Sequence, residues 1–230
     1  MLNIEKYITA SPEQWKIIIE GMRNPLNSWE KSDSHTVPSY EEQPHSFAIG
    51  HNDHNLMMNL SSAGSDHAKF RRMIPVYITL VAPLYWWKEF DTYKVGTVAN
   101  SCSTMHTIHA KEFVRDDFSQ ENLTETWISE DGVQHNSIDY LDATIEALNV
   151  FRRAYLRATE PSQKKRYWNQ IIQLLPSSYN QRRTVFVNYE TLANIYPSRR
   201  HHKLAEWHTF CDFIKTLPYA ELIIGEVSKS

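Results

Sequence analysis

The sequence predicts an α+β fold, a helix-rich single domain with a modest antiparallel or mixed sheet. Residues 73–82, MIPVYITLVA, are rich in β-branched side chains and carry apolar residues on both faces, as a strand buried on both sides does. In residues 137–158, Ile138, Leu141, Ile145, Leu148, Phe151 and Tyr155 recur at spacings of three and four, which is one apolar helix face. A chain of 230 residues, 41% hydrophobic and 22% charged, with no repeat or low-complexity tract, suits one globular core, and no domain boundary is visible in it.

From the amino terminus, Ser11 and Gln14 form a capping box, Pro12 suits a first helical turn, and Trp15, Ile18 and Ile19 form a buried face. This helix should stop before Asn24-Pro25. Residues 26–45, with Pro38 and Pro44, read as a surface loop, and Ser46 to Gly50 as a short strand. A polar stretch follows, and its His51, Asp53 and His54 read as solvated loop residues. After the buried strand, Pro83 opens a helix expected to run through LYWWKEFDTYK to near Gly96. Further helices are expected over 137–158, over 162–175 up to Pro176, over 187–196 with Pro197 as punctuation, and over 203–217 before Pro218.

Composition excludes several function classes. With 24 basic against 27 acidic side chains, no overall positive field exists to hold nucleic acid. No apolar run approaches the roughly 18 residues of a membrane span, and the first residues lack the basic start and apolar stretch of a signal peptide. Two cysteines, Cys102 and Cys211, do not make a disulfide framework. A reduced, cytoplasmic protein is the expectation, with Cys102 as a packed thiol. Only 6 glycines are present, and neither a phosphate loop, a dinucleotide fingerprint nor a G-x-S-x-G elbow can be found. The histidines, including His106 and His109 three apart and His201, His202 and His208, lack metal-ligand spacing, so no metal site is expected.

Three segments, taken in order, carry a resemblance. Asp66-His67-Ala68-Lys69-Phe70 approximates Glu-His-x-x-Phe. The central FDTYKVGTVANSCSTMH aligns through Asn100 and Ser103 with a pattern of Arg-His-Arg, then Asn, then Glu-x-Ser-x-Arg-Tyr. Here Tyr93, Lys94 and Val95 stand where Arg-His-Arg is expected, Ser101 replaces the Glu, and Met105 replaces an arginine. Finally, Leu175-Pro176, Asn188, Leu192, Arg199-Arg200 and Ala205-Glu206-Trp207 follow a Leu-Pro, Asn-x-x-x-Leu, Arg, Ala-Gln order, with Ile172 at one further arginine position. In this, residues of about 60–215 resemble the flavin-dependent thymidylate synthases, with residues 1–60 as an extension of helix, loop and short strand.

The resemblance implies reductive methylation of dUMP to dTMP, with FAD as cofactor and NADPH and methylenetetrahydrofolate as co-substrates. It also implies a homotetramer whose sites draw on several subunits. The cofactor carries the redox step, so no protein thiol has to attack the base. By resemblance, Ser103, Arg199 and Arg200 are the catalytic residues. Ser101, Ser103, Arg199 and Arg200 bind the nucleotide, a dianion that calls for cations. His67, Lys94, Asn100, Asn188 and Trp87 are assigned to the cofactor, with Tyr85, Trp86 and Trp87 as possible ring platforms. Other uses stand beside these. Asn188 suits a helix cap, Ser101 and Ser103 suit turn bonding, and one of the adjacent Trp86 and Trp87 belongs to the core. Two alternatives also stand: a non-catalytic nucleotide-binding or assembly protein on the same fold, and a related enzyme acting on a different pyrimidine nucleotide.

Overall fold

The computed structural model describes residues 1–37 and 46–225, so residues 38–45 of the expected surface loop lie outside the described residues. The architecture is α+β. Its strands are β1 (Asn3–Thr9), β2 (His35–Val37), β3 (Ser46–Ala48), β4 (Pro75–Pro83), β5 (Thr97–Ser101), β6 (Thr126–Ile128), β7 (Gln134–Asn136) and β8 (Asn180–Asn188). Its helices are α1 (Pro12–Arg23), α2 (His51–Ser62), α3 (Leu84–Phe90), α4 (Ser137–Arg157), α5 (Pro161–Leu174), α6 (Tyr189–Arg199), α7 (Ala205–Lys215) and α8 (Glu221–Ile224). A four-stranded sheet has the order β1-β4-β8-β5, and β2/β3 and β6/β7 are antiparallel pairs.

Among the described residues the chain gathers into two compact units. One takes Met1–Asn3, Leu80–Thr92 and Asn100–Arg183, the other the described residues within 4–79, 93–99 and 184–225. The core of the first unit is built by Leu141 and Leu148 of α4, Ile171 of α5, and Ile108, Phe113 and Phe118 from the segment between β5 and β6. Ile138, Ile145 and Phe151 pack against it, as the helical spacing requires. Ile172, where an arginine was expected by resemblance, also packs there. Its side chain therefore belongs to the core and not to an anion site.

Several sequence expectations hold in detail. Around α1, the Ser11 side chain accepts from the Gln14 backbone N–H while the Gln14 side chain accepts from that of Ser11, and Trp15, Ile18 and Ile19 are buried. Strand β4 is buried on both faces except at Tyr77 and Val81. Three expectations are corrected, and strand β5 was not anticipated. The helix opened by Pro83 ends at Phe90, four residues before Lys94. The segment 187–188 ends strand β8, whose polar Asn180–Thr184 hides a strand from pattern reading, and α6 then runs through Pro197 to Arg199. Strand β5, in the central segment, is largely exposed and is set by pairing with β8. The polar stretch at 51–62 is a helix, not a loop.

That helix illustrates what a sequence pattern cannot show. Its N-cap, Gly50, offers no side chain, so Asp33 supplies the cap from another part of the chain. The Asp33 carboxylate accepts from the backbone N–H groups of Asn52 (2.9 Å) and Asp53 (3.2 Å). Asp53, meanwhile, is wholly buried. Its Oδ1 accepts from Arg23 Nε at 2.5 Å, and its Oδ2 accepts from Ser32 Oγ (2.8 Å), Ser34 Oγ (2.6 Å) and the backbone N–H groups of Asp33 and Ser34. Arg23, also buried, spends its other nitrogens on Ser28 and on the Lys31 carbonyl. Both carboxylate oxygens and all three guanidinium nitrogens of this ion pair are hydrogen-bonded, which is the condition for a buried charge to be tolerated. Burial pushes the Asp53 carboxyl up, but the hydrogen bonds from Ser34, Ser32 and Arg23 outweigh it and hold the group below the ordinary carboxyl value.

Candidate functional site

In the first unit, the chain leaves β5 at Ser101 and is fastened to the start of β8. The Cys102 N–H donates to the Arg182 carbonyl (3.0 Å), and Gln181 Nε2 donates to the Cys102 carbonyl (2.7 Å). Ser103 follows in a series of turns, not at a helix start. Its Oγ accepts from the His106 N–H at 2.9 Å, and its carbonyl accepts from Thr107 Oγ1 at 2.8 Å. The Ser103 hydroxyl keeps its own proton to donate. Asn100, Ser101 and Cys102 are exposed, which corrects the expectation of a packed Cys102 thiol.

Beside these turns lies a cavity of about 320 Å³ lined by Ser103, Thr104, Lys111, Asp117, Tyr179 and Arg182. Lys111 Nζ pairs with Asp117. Burial first, then the Asp117 charge, pushes the Tyr179 phenol up, so it stays protonated as a donor. Hydroxyl, phenol and ammonium donors converge with carboxylate acceptors, a lining suited to reading the edge of a polar heterocycle. Tyr179, Lys111 and Arg182 were not singled out from the sequence. For Tyr179 and Arg182 the unrecognised strand β8 and the turn before it were the missing signal, whereas Lys111 lies in the irregular segment after β5, which carries none.

Trp87 is a correction. It and Trp86 are both fully buried, so neither offers a ring face to a cofactor within this chain. Trp87 Nε1 donates to the Gln181 carbonyl (2.9 Å), and the Arg183 guanidinium covers its ring at 4.2 Å while pairing with Asp91. Both indoles went to the core, where each packs against the ring of Phe90.

In the second unit, the turn Tyr93–Gly96 seats on the start of α6. Asn188 caps that helix by accepting from the Thr191 N–H at 2.9 Å, and Thr191 Oγ1 reaches the Val95 carbonyl at 3.0 Å. Gly96 has φ +77°, and a Cβ there would lie 2.6 Å from Asn188 Nδ2, so the turn depends on glycine. Replacing the cap, Asn188→Ala, is expected to cost about 1–2 kcal/mol, read as a lower urea midpoint at unchanged slope.

The two arginines part company. Arg199 is bracketed by Tyr93 and Trp207, with its guanidinium 5.5 Å and 4.6 Å from their rings, and its Nε donates to the Tyr93 hydroxyl at 2.9 Å. Arg200, one residue on, is exposed and lines a separate cavity of about 250 Å³ with Ser61, Arg71 and Asn194. The expectation of a pair acting together is corrected, because successive helix residues diverge by about 100°. Lys94 is exposed on the Tyr93–Gly96 turn. His67 is exposed too, at the rim of a largely apolar cavity of about 520 Å³ that includes Met22, Leu26, Leu60, Phe70 and Met73. His106 and His109 lie in turns and not on a shared helix face. Among the described residues, no group of three or more His, Cys, Asp or Glu is placed to hold a metal ion, and no helix is long and apolar enough to cross a membrane.

Neither a family model nor a curated protein matches the sequence. Solved structures do match. One is thymidylate synthase X (ThyX) from Helicobacter pylori with FAD and dUMP, with 14% identity, a TM-score of 0.61, and coverage of 96% of this chain and 94% of that one. Another structure of the Helicobacter pylori enzyme with FAD and dUMP gives 15% identity, a TM-score of 0.58, and coverage of 96% and 95%. A UMP/dUMP methylase, PolB from Streptomyces cacaoi bound with 5-Br dUMP, gives 12% identity, a TM-score of 0.53, and coverage of 94% and 88%. At such identities the likeness speaks to backbone architecture, and on that ground this chain has, over nearly its whole length, the fold of the flavin-dependent thymidylate synthases.

Proposed function

We propose that the protein is a divergent flavin-dependent thymidylate synthase-like methyltransferase. It binds dUMP and methylates the base at C5, with FAD as cofactor and NADPH and methylenetetrahydrofolate as co-substrates. It works as a cytoplasmic homotetramer, each chain serving as one domain. The observation that supports this most is the fold shared with an enzyme solved with FAD and dUMP, together with the donor-lined cavity at Ser103.

The residues at hand fit a flavin in one respect. The apolar cavity under His67 has the size and polarity for a flat, mostly apolar ring, with the imidazole, Asp66 and Lys69 at its edge. Held there, the flavin in its reduced form, recharged by NADPH, would supply the hydride that converts the transferred carbon to a methyl group. In this reading the protein's own groups hold and orient. Ser103 donates its hydroxyl proton to the nucleotide. Tyr179, kept protonated by burial, donates to a base oxygen, and Asn100 and Ser101 border the same segment. The exposed cations Arg200 and Lys94 serve the phosphate. Arg199 shapes the Tyr93–Lys94 turn through its aromatic bracket, and Asn188 fixes that turn from α6. In a tetramer these groups meet groups of other subunits.

The test is complementation of a thymidine-requiring bacterial strain, paired with purification of the protein after FAD loading. Growth without thymidine and a yellow protein that forms dTMP are expected, with Ser103→Ala lowering kcat/KM by roughly 10–100-fold. A colourless protein that takes up no FAD and forms no dTMP overturns the reading. A specific observation favours one alternative, a related methylation of a different pyrimidine nucleotide. Ile172 lies in the core and Met105 stands where an arginine was expected, so the phosphate grip differs from the expected one. Turnover of UMP in preference to dUMP would select that reading. A thermal shift with dUMP but none with FAD would select nucleotide binding without catalysis.

A further inference from the structure

Helix α4 has two apolar sides, and the core of the first unit uses one of them. Leu141 and Leu148 are buried there, with Ile138, Ile145 and Phe151 packed against the same cluster. The segment before β6 covers a neighbouring face, where Asn149 exchanges hydrogen bonds with the Phe113 backbone and Arg152 Nε donates to the His109 carbonyl. On the remaining side, Tyr140, Ala143, Ala147, Val150, Ala154 and Arg157 recur at alternating spacings of three and four, from the first turn of the helix to its last residue. That is the spacing of a seam between two helices. None of these residues belongs to the core cluster. Tyr140 is 52% and Val150 46% exposed, Ala143 and Arg157 are exposed, and Ala147 and Ala154 are half-buried. Tyr140 leans on Trp127, with ring centroids 4.9 Å apart, and still keeps half of its surface open.

The charges on this face say what covers it. Asp139 and Glu146 flank the seam in its first half, Arg153 flanks the same edge in its second half, and Arg157 ends it. Glu146 and Arg157 make no ion pair among the described residues, and Arg153 makes a long one with Glu112, at 3.7 Å. A face that is acidic at one end and basic at the other is complementary to itself turned end for end, as a twofold contact demands. A partner of one charge sign would be repelled by half of it. We infer that α4 packs antiparallel on the α4 of a second copy of this chain, across a twofold axis. The favoured register sets Tyr140 against the partner's Arg157, Ala143 against the partner's Ala154, and Ala147 against the partner's Val150. Every seam position then meets a seam position, and the alanines let the two helices approach closely. Glu146 faces the partner's Arg153, and the partner's Arg157 reaches both the Tyr140 ring and Asp139. The neighbouring register, with Ala147 against the partner's Ala143, leaves Ala154 and Arg157 uncovered and brings Glu146 against its own copy. The inference deepens the homotetramer proposed above by naming one of its surfaces.

The experiment is sedimentation equilibrium of the full chain at micromolar concentration. The natural sequence is expected to be assembled, and Ala147→Glu, which puts a charge in the middle of the seam, to halve the assembled mass by raising the dissociation constant roughly 100-fold. Arg153→Glu should weaken assembly about 10-fold, and Glu146→Arg together with Arg153→Glu should restore it, a rescue that a purely structural effect would not give. An unchanged far-UV spectrum and melting temperature verify the fold of each variant. Direction is read by cross-linking with a short bismaleimide, in a Cys102→Ser background that removes the exposed native thiol. A mixture of Ala143→Cys and Ala154→Cys chains should cross-link, and neither variant with itself. The cross-linking decides even where Ala147→Glu fails to fold. A monomeric natural sequence, a mass that Ala147→Glu leaves unaltered, or cross-linking of the single variants with themselves overturns the inference. Formation of dTMP is not the readout. A protein that forms none but halves its mass keeps this inference while losing the proposed function, and an active enzyme indifferent to Ala147→Glu does the reverse.

Discussion

Asp53→Asn is expected to destabilise the protein by about 3–5 kcal/mol, a fall in Tm on the order of 10 °C for a chain of this length. The asparagine keeps the shape of the side chain but leaves the Arg23 guanidinium charged and buried without its counter-ion. It also turns an acceptor of five donors, from Arg23, Ser32, Ser34 and two backbone N–H groups, into an amide that must point two protons at some of them. Circular dichroism melts and urea midpoints of the two proteins are the measurement. A change under 1 kcal/mol would show that the network relaxes at little cost. The same carboxylate gives a pH signature. Its folded value is held below that of the unfolded chain, so its contribution is complete above the unfolded value of about 3.9. It is lost as acid carries the pH down through the lower folded value. The acid limb of the stability curve should therefore be shallower in Asp53→Asn than in the natural sequence.

Trp87→Ala is expected to cost a further 3–5 kcal/mol or so on its own, because a fully buried indole leaves a cavity and strands its partners. The Gln181 carbonyl loses the indole N–H, and Arg183 loses the ring beneath it while retaining Asp91. On the proposed flavin binding, flavin content per folded molecule should be unchanged, since no face of Trp87 is open in this chain. A variant with native Tm and lost flavin would restore Trp87 to the cofactor. A variant that melts early with its flavin intact confirms a packing role.

Much of this architecture was legible before any coordinates. Helices whose signal is local announced themselves: the capping box at Ser11 and Gln14, the Pro176 stop after α5, and the long apolar face of α4. The order of the three resembling segments pointed to the fold that the solved structures share. The elements that stayed hidden have a common cause. Helix α2 is capped by Asp33, β5 pairs on β8, and β8 begins with polar residues, so each draws its stability from groups distant in sequence. The candidate site was less legible than the fold. Ser103 was found through its motif, whereas Tyr179 and Lys111 sit in segments with no motif and reach the same cavity by folding.

The sequence by itself determined the class of fold, the local starts and stops of most helices, and the absence of an overall charge for nucleic acid, because those depend on neighbours within a few residues. Tertiary structure alone decided which aromatic rings vanish into the core, which of two adjacent arginines is bracketed by rings, and that an aspartate in a polar stretch is the buried centre of a network. Burial and pairing are properties of the partners a side chain meets, and those partners are chosen only when remote segments come together.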